Sequence, residues 1–295
     1  MLKKLSLIIF LSALNLCAAN PPKVLVSIYP IYSIVEGLMK DVGQPELLLP
    51  PTESPHHFNL LPSQAEQMAQ ADLFIWIGPD MEKVLLKPIE SLVKGKVLTI
   101  IDIPKLILIE QPNKIIDPHI WLDPNNVMVI TRAIAQELST LDPSNQKTYR
   151  ENEERIVKEL EKLNETIAKE MAPFKGKHSI VYHEAYRYFQ RAFSLGNSIP
   201  IVTEETGTTT VRPNQLTKIY ELAHREKIKC IFSEPQEGAR TVAALAKQMH
   251  LALREIDPLG VNAQEDYEQA YMAIMLNVAS SFKDCFTAES SHDKP

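Results

Sequence analysis

The sequence predicts an α/β fold of two lobes, each a small and mostly parallel sheet flanked by helices, joined by one long scaffold helix. Short apolar runs alternate with amphipathic segments in each half of the chain, and one long charged segment separates the two series. Strands that alternate with helices are typical of parallel sheets. Because ligands of such sheets bind beyond the carboxyl ends of the strands, we expect a site in the cleft between the lobes.

The composition excludes several classes of function. The 295 residues include 21 prolines but only 9 glycines, and no two glycines are closer than six residues. Dinucleotide fingerprints, P-loops and the nucleophile elbow of hydrolases need closely spaced glycines, so none of them can be present. The net charge is −6 and no long basic run occurs. We therefore expect no binding of nucleic acid.

The N-terminus is typical of a secretory signal peptide. Lys3 and Lys4 precede an apolar stretch at 5–16, and small residues follow up to Ala19. This pattern predicts export and cleavage after Ala19, since the apolar stretch is too short to span a bilayer. Cleavage would remove two lysines and take the net charge from −6 to −8. Lipid attachment at Cys17 is the second alternative, because the residues before it match a lipobox poorly.

Residues 20–140 are expected to form the first lobe, because apolar runs and helical segments alternate along them. The buried runs that predict strands are Val24–Ile28, Leu47–Leu49, Leu73–Ile77 and Val97–Ile101. The amphipathic segments that predict helices lie near Ile31–Lys40, Ser63–Gln70, Met81–Leu92 and Asn125–Ser139. The helical segments begin at Pro, Ser or Asp, which are usual start signals.

The segment 141–173 is expected to link the lobes through one long helix. Residues 144–171 contain neither glycine nor proline, and Pro173 ends the pattern. Apolar residues recur at a spacing of four, three, four and four, which is one face of a helix; they are Ile156, Leu160, Leu163, Ile167 and Met171. A coiled coil is the alternative, but the apolar repeat does not continue far enough to favour it.

The second lobe is expected at residues 174–287, followed by a tail at 288–295. Its predicted strands are Ser179–Tyr182, Ile199–Val202, Cys230–Ser233 and Arg254–Ile256. Its predicted helices lie near Glu184–Phe193, Pro213–Glu226, Ala239–Met249 and Gln264–Phe282. Cleavage of the signal peptide would leave two cysteines, Cys230 and Cys285, and an even pair in an exported protein favours a disulfide over buried free thiols.

Four of the eight histidines lie where a cleft would be lined: His56, His57, His119 and His183. His56 and His119 are 63 residues apart, and His119 and His183 are 64 apart, which excludes a zinc finger because its ligands come in close pairs. The protease motif H-E-x-x-H fails because Arg187 stands where its second histidine would be. A histidine at a strand end more often makes a hydrogen bond than binds metal. The residues alone therefore indicate an exported, two-lobed binding protein.

Several longer motifs carry a resemblance to a known family. In chain order, they are Ser-Pro-His-His-Phe-Asn-Leu (54–60), Ala-Asp-Leu-Phe-Ile-Trp-Ile-Gly-Pro-Asp-Met-Glu (71–82), Asp-Pro-His-Ile-Trp-Leu-Asp-Pro (117–124), Tyr-His-Glu-Ala-Tyr-Arg-Tyr-Phe (182–189), Glu-Glu-Thr-Gly (204–207), Phe-Ser-Glu-Pro-Gln (232–236) and Ile-Asp-Pro-Leu-Gly (256–260). Together they resemble the metal-binding solute receptors of bacterial ABC importers, and most closely the periplasmic zinc-binding members. The motif at 117–124 is the most specific of them.

The resemblance implies a metal site made of His56, His119, His183 and Asp257, with water as an alternative to Asp257. His56 is preferred over His57 because it directly follows Pro55. Manganese-binding relatives carry a carboxylate at the third position, so the histidine there implies Zn²⁺, which imidazole also suits better than Mn²⁺. The resemblance further implies the Cys230–Cys285 disulfide.

The resemblance also implies a function and one departure from the family. An exported monomer would carry Zn²⁺ to the permease of an ABC importer, with each ligand histidine held through its second ring nitrogen by a carboxylate or carbonyl. Many zinc members carry a long histidine-rich loop before the 117–124 motif, whereas Glu110–Ile116 is short and contains no histidine. The alternatives are a manganese receptor, an enzyme with a three-histidine zinc site, and a lipid-anchored adhesin.

Overall fold

The computed structural model describes residues 20–111, 114–202, 213–263 and 269–288, so the predicted signal peptide, the motif at 204–207 and residues 289–295 lie outside the described part. The strands of the described residues form two separate four-stranded sheets. The first sheet contains β1 Val24–Val26, β2 Glu46–Leu47, β3 Leu73–Trp76 and β4 Lys96–Thr99. The second contains β5 Ile180–Val181, β6 Ile199–Pro200, β7 Cys230–Ser233 and β8 Ala252–Glu255.

The two sheets share one topology. Their strand orders are β2-β1-β3-β4 and β6-β5-β7-β8, and every neighbouring pair is parallel. In each sheet the chain leaves the first strand to one side and later returns to the other, which leaves a crevice at the carboxyl ends of the two central strands. The prediction of two lobes with parallel sheets is confirmed.

Helices flank both sheets, one for each predicted segment, and the first residues of the segment predicted from Gln264 lie outside the described part. In the first lobe they are α1 Tyr29–Met39, α2 Pro62–Gln70, α3 Leu86–Leu92 and α4 Pro124–Leu141. The long helix is α5 Gln146–Met171, and the second lobe adds α6 Arg187–Ala192, α7 Pro213–Arg225, α8 Ala239–Met249 and α9 Ala270–Phe286. None of the helices in the described part of the chain combines the length and the apolar character that crossing a bilayer requires.

Two helices begin later than the sequence predicts, and in each case a turn replaces the first helical residues. Before α3, Met81 and Glu82 donate their backbone N–H groups to the carbonyl of Gly78, and a 3₁₀ turn at Lys83–Leu85 follows. Before α6, the backbone N–H of Ala185 bonds to the carbonyl of His183. These turns keep Met81 and His183 near the carboxyl ends of β3 and β5, where both line the same cavity.

The long helix α5 is a scaffold for both lobes. At 1.5 Å per residue its 26 residues span about 39 Å. It packs on α1 and α4 of the first lobe and on α9 of the second. The apolar face predicted from the sequence is buried in one hydrophobic core that runs from Val24 to Phe286 and includes residues of both sheets. The lobes are therefore joined by shared packing as well as by the helix itself.

A buried turn between the lobes adds directional contacts to this packing. Trp121 is fully buried, and its indole N–H donates to the carbonyl of Pro258 at 3.0 Å. Tyr271 donates its hydroxyl to the carbonyl of Trp121 at 2.7 Å. Nearby, Arg191 lies 3.4 Å from the carboxylate of Asp123, which also accepts from the N-terminal turn of α4. These contacts hold the 117–123 segment of the first lobe against the second lobe.

The predicted disulfide is present. Cys230 at the start of β7 is bonded to Cys285 in the last turn of α9, with Cα atoms 5.3 Å apart. Both residues are buried. The bond ties the C-terminal helix to the central part of the second sheet.

Candidate metal centre

The loop that carries His56 follows β2 and is shaped by its own turns and by one glutamine. The backbone N–H of His57 bonds to the carbonyl of Ser54, and the Phe58 ring is buried in the core. Gln64 in α2 accepts from the N–H of Leu61 at 2.8 Å and donates to the carbonyl of Leu48 at 2.7 Å. The two ends of the loop are thus anchored to the same side chain.

His119 lies at the start of the buried turn between the lobes. The next three residues, Ile120–Leu122, form a 3₁₀ turn that is fully buried, and Asp123 caps α4 directly after it. His119 itself is buried, with 2% of its surface exposed. The apolar turn on one side and the helix cap on the other leave the imidazole a single direction, toward the cleft.

His183 follows β5, one of the two central strands of the second sheet. Its side chain is 18% exposed. Glu234 follows β7, the neighbouring central strand, and is buried. The crevice between the carboxyl ends of β5 and β7 therefore holds a histidine next to a carboxylate, as the topology predicts.

The three imidazoles converge through the same ring atom. Nε2 of His119 lies 3.2 Å from Nε2 of His56 and 3.3 Å from Nε2 of His183. Among the described residues these three form the group whose potential ligand atoms all lie within 4.8 Å of one another. His57 is exposed and stands outside this group. The structure thus brings together His56, His119 and His183, which are far apart in sequence.

Carboxylates hold two of the imidazoles by the opposite ring atom. Nδ1 of His119 lies 2.8 Å from Oδ1 of Asp117, and Nδ1 of His183 lies 3.0 Å from Oε2 of Glu234. Because a carboxylate only accepts hydrogen bonds, Nδ1 carries the proton in each ring and Nε2 presents its lone pair to the centre. Tyr186 donates its hydroxyl to the other oxygen of Glu234 at 3.0 Å and so orients that carboxylate.

The electrostatics favour the neutral form of two of the imidazoles, those of His56 and His119. Burial, followed by the neighbouring His119 and His183, lowers the pKa of His56 well below its ordinary value. Burial, followed by His183 and Arg187, lowers the pKa of His119 in the same direction. Burial also raises the pKa of Asp117 to about 6, against the opposing effect of its hydrogen bond from the His119 backbone. Because neutral imidazole is the form that binds metal, and the three Nε2 atoms converge, this group could hold a metal ion.

Asp257, the fourth ligand implied by the sequence motifs, is placed differently. It follows β8 and is buried. Its Oδ1 accepts from the backbone N–H groups of Leu259 at 3.3 Å and Gly260 at 2.9 Å, and its Oδ2 accepts from that of Asn262 at 3.1 Å. It is outside the three-histidine group, and its oxygens shape the turn after β8.

Sequence reasoning predicted carboxylates behind the histidines but did not name Asp117 or Glu234. A signal existed for each of them. Asp117 lies two residues before His119 in the most specific motif, and its Oδ1 also accepts from the His119 backbone at 3.1 Å. Glu234 follows a buried strand directly, where a charged residue is unusual unless it is paired.

A cavity adjoins the three histidines. Its lining includes the histidines themselves and Glu234, Gln236, Glu237, Met81 and Trp121.

Known proteins resemble the chain along most of its length. The family model described as "Zinc-uptake complex component A periplasmic", ZnuA, matches residues 24–285. The chain is 29% identical over 314 residues to the high-affinity zinc uptake system protein ZnuA of Brucella suis, covering 90% of this chain and 91% of the relative. It is 28% identical over 313 residues to the ZnuA of Haemophilus ducreyi, covering 95% and 98%.

Solved structures agree with the sequence relatives. A crystal structure of a ZnuA deletion mutant with zinc bound superimposes with a TM-score of 0.81 at 25% identity, covering 92% of this chain and 100% of that one. The family match spans both sheets, the long helix and all three histidines. The chain therefore belongs to the family of periplasmic zinc-uptake components, ZnuA.

Proposed function

We propose that the chain is an exported receptor that binds Zn²⁺ through Nε2 of His56, His119 and His183 and delivers it to the permease of an ABC importer. The observation that carries the proposal is the convergence of three imidazoles. In a tetrahedral zinc site with bonds of about 2.0–2.1 Å, two ligand atoms are roughly 3.3 Å apart. The two measured Nε2 separations, 3.2 Å and 3.3 Å, match that geometry.

The ligand chemistry favours zinc over manganese. All three converging atoms are imidazole nitrogens, which suit zinc, whereas manganese prefers carboxylate and water oxygens. The carboxylates nearest the centre, Asp117 and Glu234, bond to the far ring nitrogens and hold the ligands rather than replace them. The names of the ZnuA relatives point to the same metal.

The same features support a receptor rather than an enzyme. Catalysis at a three-histidine zinc site needs a metal-bound water and a base to take its proton. The buried carboxylate of Glu234 is bonded to His183 and Tyr186, and that of Asp117 is bonded to His119. Neither is available as that base. We infer that zinc is held for release to a permease and is not used for chemistry.

Export and organisation complete the proposal. We propose that residues 1–19 are a cleaved signal peptide and that the receptor acts as a periplasmic monomer. The first lobe would comprise residues 20–140 and the second 174–287, with 141–173 as the linking helix. The packing of α5 on both lobes supports small cleft movements during zinc loading rather than a wide hinge motion.

Titration calorimetry of the metal-free protein tests the proposal. We expect one equivalent of Zn²⁺ to bind tightly and Mn²⁺ to bind far more weakly. Replacing His56 by alanine should weaken zinc binding by more than the roughly 10–100-fold typical of losing an outer partner. His57→Ala is the matched control, because the same loop carries it outside the group, and it should leave the affinity unchanged. Equal zinc affinity in wild type and His56→Ala would refute the site.

A further inference from the structure

A glutamine in the metal cavity has one polar atom without a partner. Gln236 lines the cavity beside the three histidines and follows β7 by three residues. Its Oε1 atom is buried and has no hydrogen-bond partner among the described residues. A buried acceptor left unsatisfied costs about 1–3 kcal/mol, so such an atom in a binding cavity is expected to meet a ligand or an ordered water.

The orientation of this amide is determined by its neighbours. Its Nε2 lies 3.0 Å from the carbonyl oxygen of Pro51 and 3.4 Å from Oδ1 of Asp257. Both neighbours are acceptors, so the amide end that faces them must be the NH₂ group. The opposite end is therefore the carbonyl oxygen, and a flip of the amide would place it against two other oxygens.

The backbone around Gln236 is held in one shape. Gly238 has a φ of 78° and stands at the N-terminus of α8. A Cβ atom at this position would collide with the ring of Tyr182. In a chain so poor in glycine, this residue lets the loop after β7 turn closely over the second sheet. The loop therefore presents Gln236 at a defined place beside the cavity.

Resting on the proposed zinc site, we propose that Gln236 positions the fourth ligand: its Oε1 accepts a hydrogen bond from a water molecule bound to the cargo metal. Three imidazoles leave one position of a tetrahedral site. The oxygens of Asp257 already accept from backbone N–H groups. An amide oxygen is a poor ligand for zinc itself, whereas a water bound to a divalent cation is a strong hydrogen-bond donor.

The neutrality of the acceptor suits a carrier. A carboxylate in this place would attract the proton of the bound water and promote formation of hydroxide, as in hydrolytic sites. The amide oxygen accepts the hydrogen bond without taking the proton. Because Nε2 bonds to Pro51 of the His56 loop, the same side chain connects the fourth position to the first-lobe part of the site. Gln236 is in this view a positioning residue that acts through the water.

Gln236→Met tests the proposal, because methionine has a similar length and no strong acceptor. The matched control is Gln67→Met: Gln67 lies on α2, bonds to Glu46 and does not line the cavity. We expect Gln236→Met to weaken Zn²⁺ binding roughly 10–100-fold in a chelator competition assay. Its Co²⁺-loaded form should show a changed visible absorption spectrum. Gln67→Met should bind Zn²⁺ like wild type and keep the wild-type Co²⁺ spectrum.

Two further measurements make the outcomes distinct. Thermal unfolding of the metal-free variants establishes that each one folds. A crystal structure of the zinc-loaded wild type should show an oxygen atom on the metal within about 3.2 Å of Gln236 Oε1. An unchanged affinity and spectrum in folded Gln236→Met, an equal loss in Gln67→Met, or direct bonding of Oε1 to zinc would each overturn the proposal. Failure of the wild type to bind zinc would instead overturn the proposed function.

Discussion

The Nε2 atoms of His119 and His183 lie 3.3 Å apart, although 64 residues separate them in the chain. His119 lies in a buried turn between the lobes and His183 at the end of a strand in the second sheet. Their approach depends on the contacts that hold the turn against the second lobe, including the bond from Trp121 to Pro258. One of the three histidines of the metal centre, His119, is therefore positioned by the lobe interface.

Glu234→Ala should weaken zinc binding roughly 10–100-fold, because it removes the carboxylate that holds the His183 ring through Nδ1. Glu234→Gln keeps an acceptor oxygen and should restore part of the affinity. Glu237→Ala is the control, since Glu237 lines the same cavity and carries the same charge. Zinc competition titrations of the three variants separate two effects of Glu234: its orientation of the His183 ring and its negative charge near the metal. If the loss in Glu237→Ala equals that in Glu234→Ala, the effect is charge alone.

The free energy of unfolding should fall as the pH rises from about 4.5 to about 7, because the buried carboxyl of Glu82 titrates differently in the folded and unfolded states. Burial raises its pKa from 4.5 to about 7, although it accepts from Ser27 and from the backbone of Gly78 at 3.0 Å. The folded state therefore binds this proton more tightly than the unfolded state, so its contribution to stability is present below pH 4.5 and is lost by pH 7. The contribution is at most about 3 kcal/mol.

Urea unfolding of wild type and Glu82→Gln at several pH values measures this effect. The variant should be relatively more stable at high pH, because its side chain does not ionise. A wild-type profile that parallels that of Glu82→Gln between pH 4.5 and 7 would contradict the prediction. Both proteins share all other titrating groups, so the difference between the profiles reports Glu82 itself.

Loss of the disulfide should destabilise the protein without altering zinc binding. Cys230 and Cys285 close a loop with a sequence separation of 55 residues, for which the chain-entropy model gives about 4 kcal/mol. The double variant Cys230→Ala/Cys285→Ala avoids new buried hydroxyl groups. Chemical denaturation should show the loss, while zinc affinity stays unchanged because Cys230 is at the amino end of β7, opposite the site. Equal stability of the double variant and the wild type would argue against this contribution.

Trp121→Phe should cost about 1–3 kcal/mol of stability, since it leaves the buried carbonyl of Pro258 without its donor. It should also weaken zinc binding, because the Trp121 ring packs 5.3 Å from the His119 ring. Trp76→Phe is the matched control: its indole bonds to Thr99 within the first sheet, and it does not line the metal cavity. Denaturation and zinc titration of both variants check this, and an equal effect on zinc would contradict the role of the turn.

Much of the fold could be predicted from local patterns. The apolar repeat from Ile156 to Met171 predicted the buried face of α5, and the short apolar runs predicted all eight described strands to within a few residues. The starts of α3 and α6 could not be predicted, because they depend on hydrogen bonds that form turns at Gly78 and His183. At α3, the turn is also held by the buried carboxylate of Glu82, which accepts from Ser27, and no local pattern contains a contact 55 residues away.

The sequence by itself determined the fold class and the pairing of Cys230 with Cys285, and the family resemblance of its motifs implied His56 rather than His57 as a ligand. Periodicity, cysteine number and motif position depend on neighbours in the chain, so they can be read without coordinates. Only the tertiary structure decided that Asp117 and Glu234 hold the imidazoles, that the Asp257 oxygens bond to backbone amides, and that Gln236 of the cavity has a buried oxygen without a partner among the described residues. These properties depend on which atoms meet after the lobes pack, because a hydrogen bond is a relation between two positions in space.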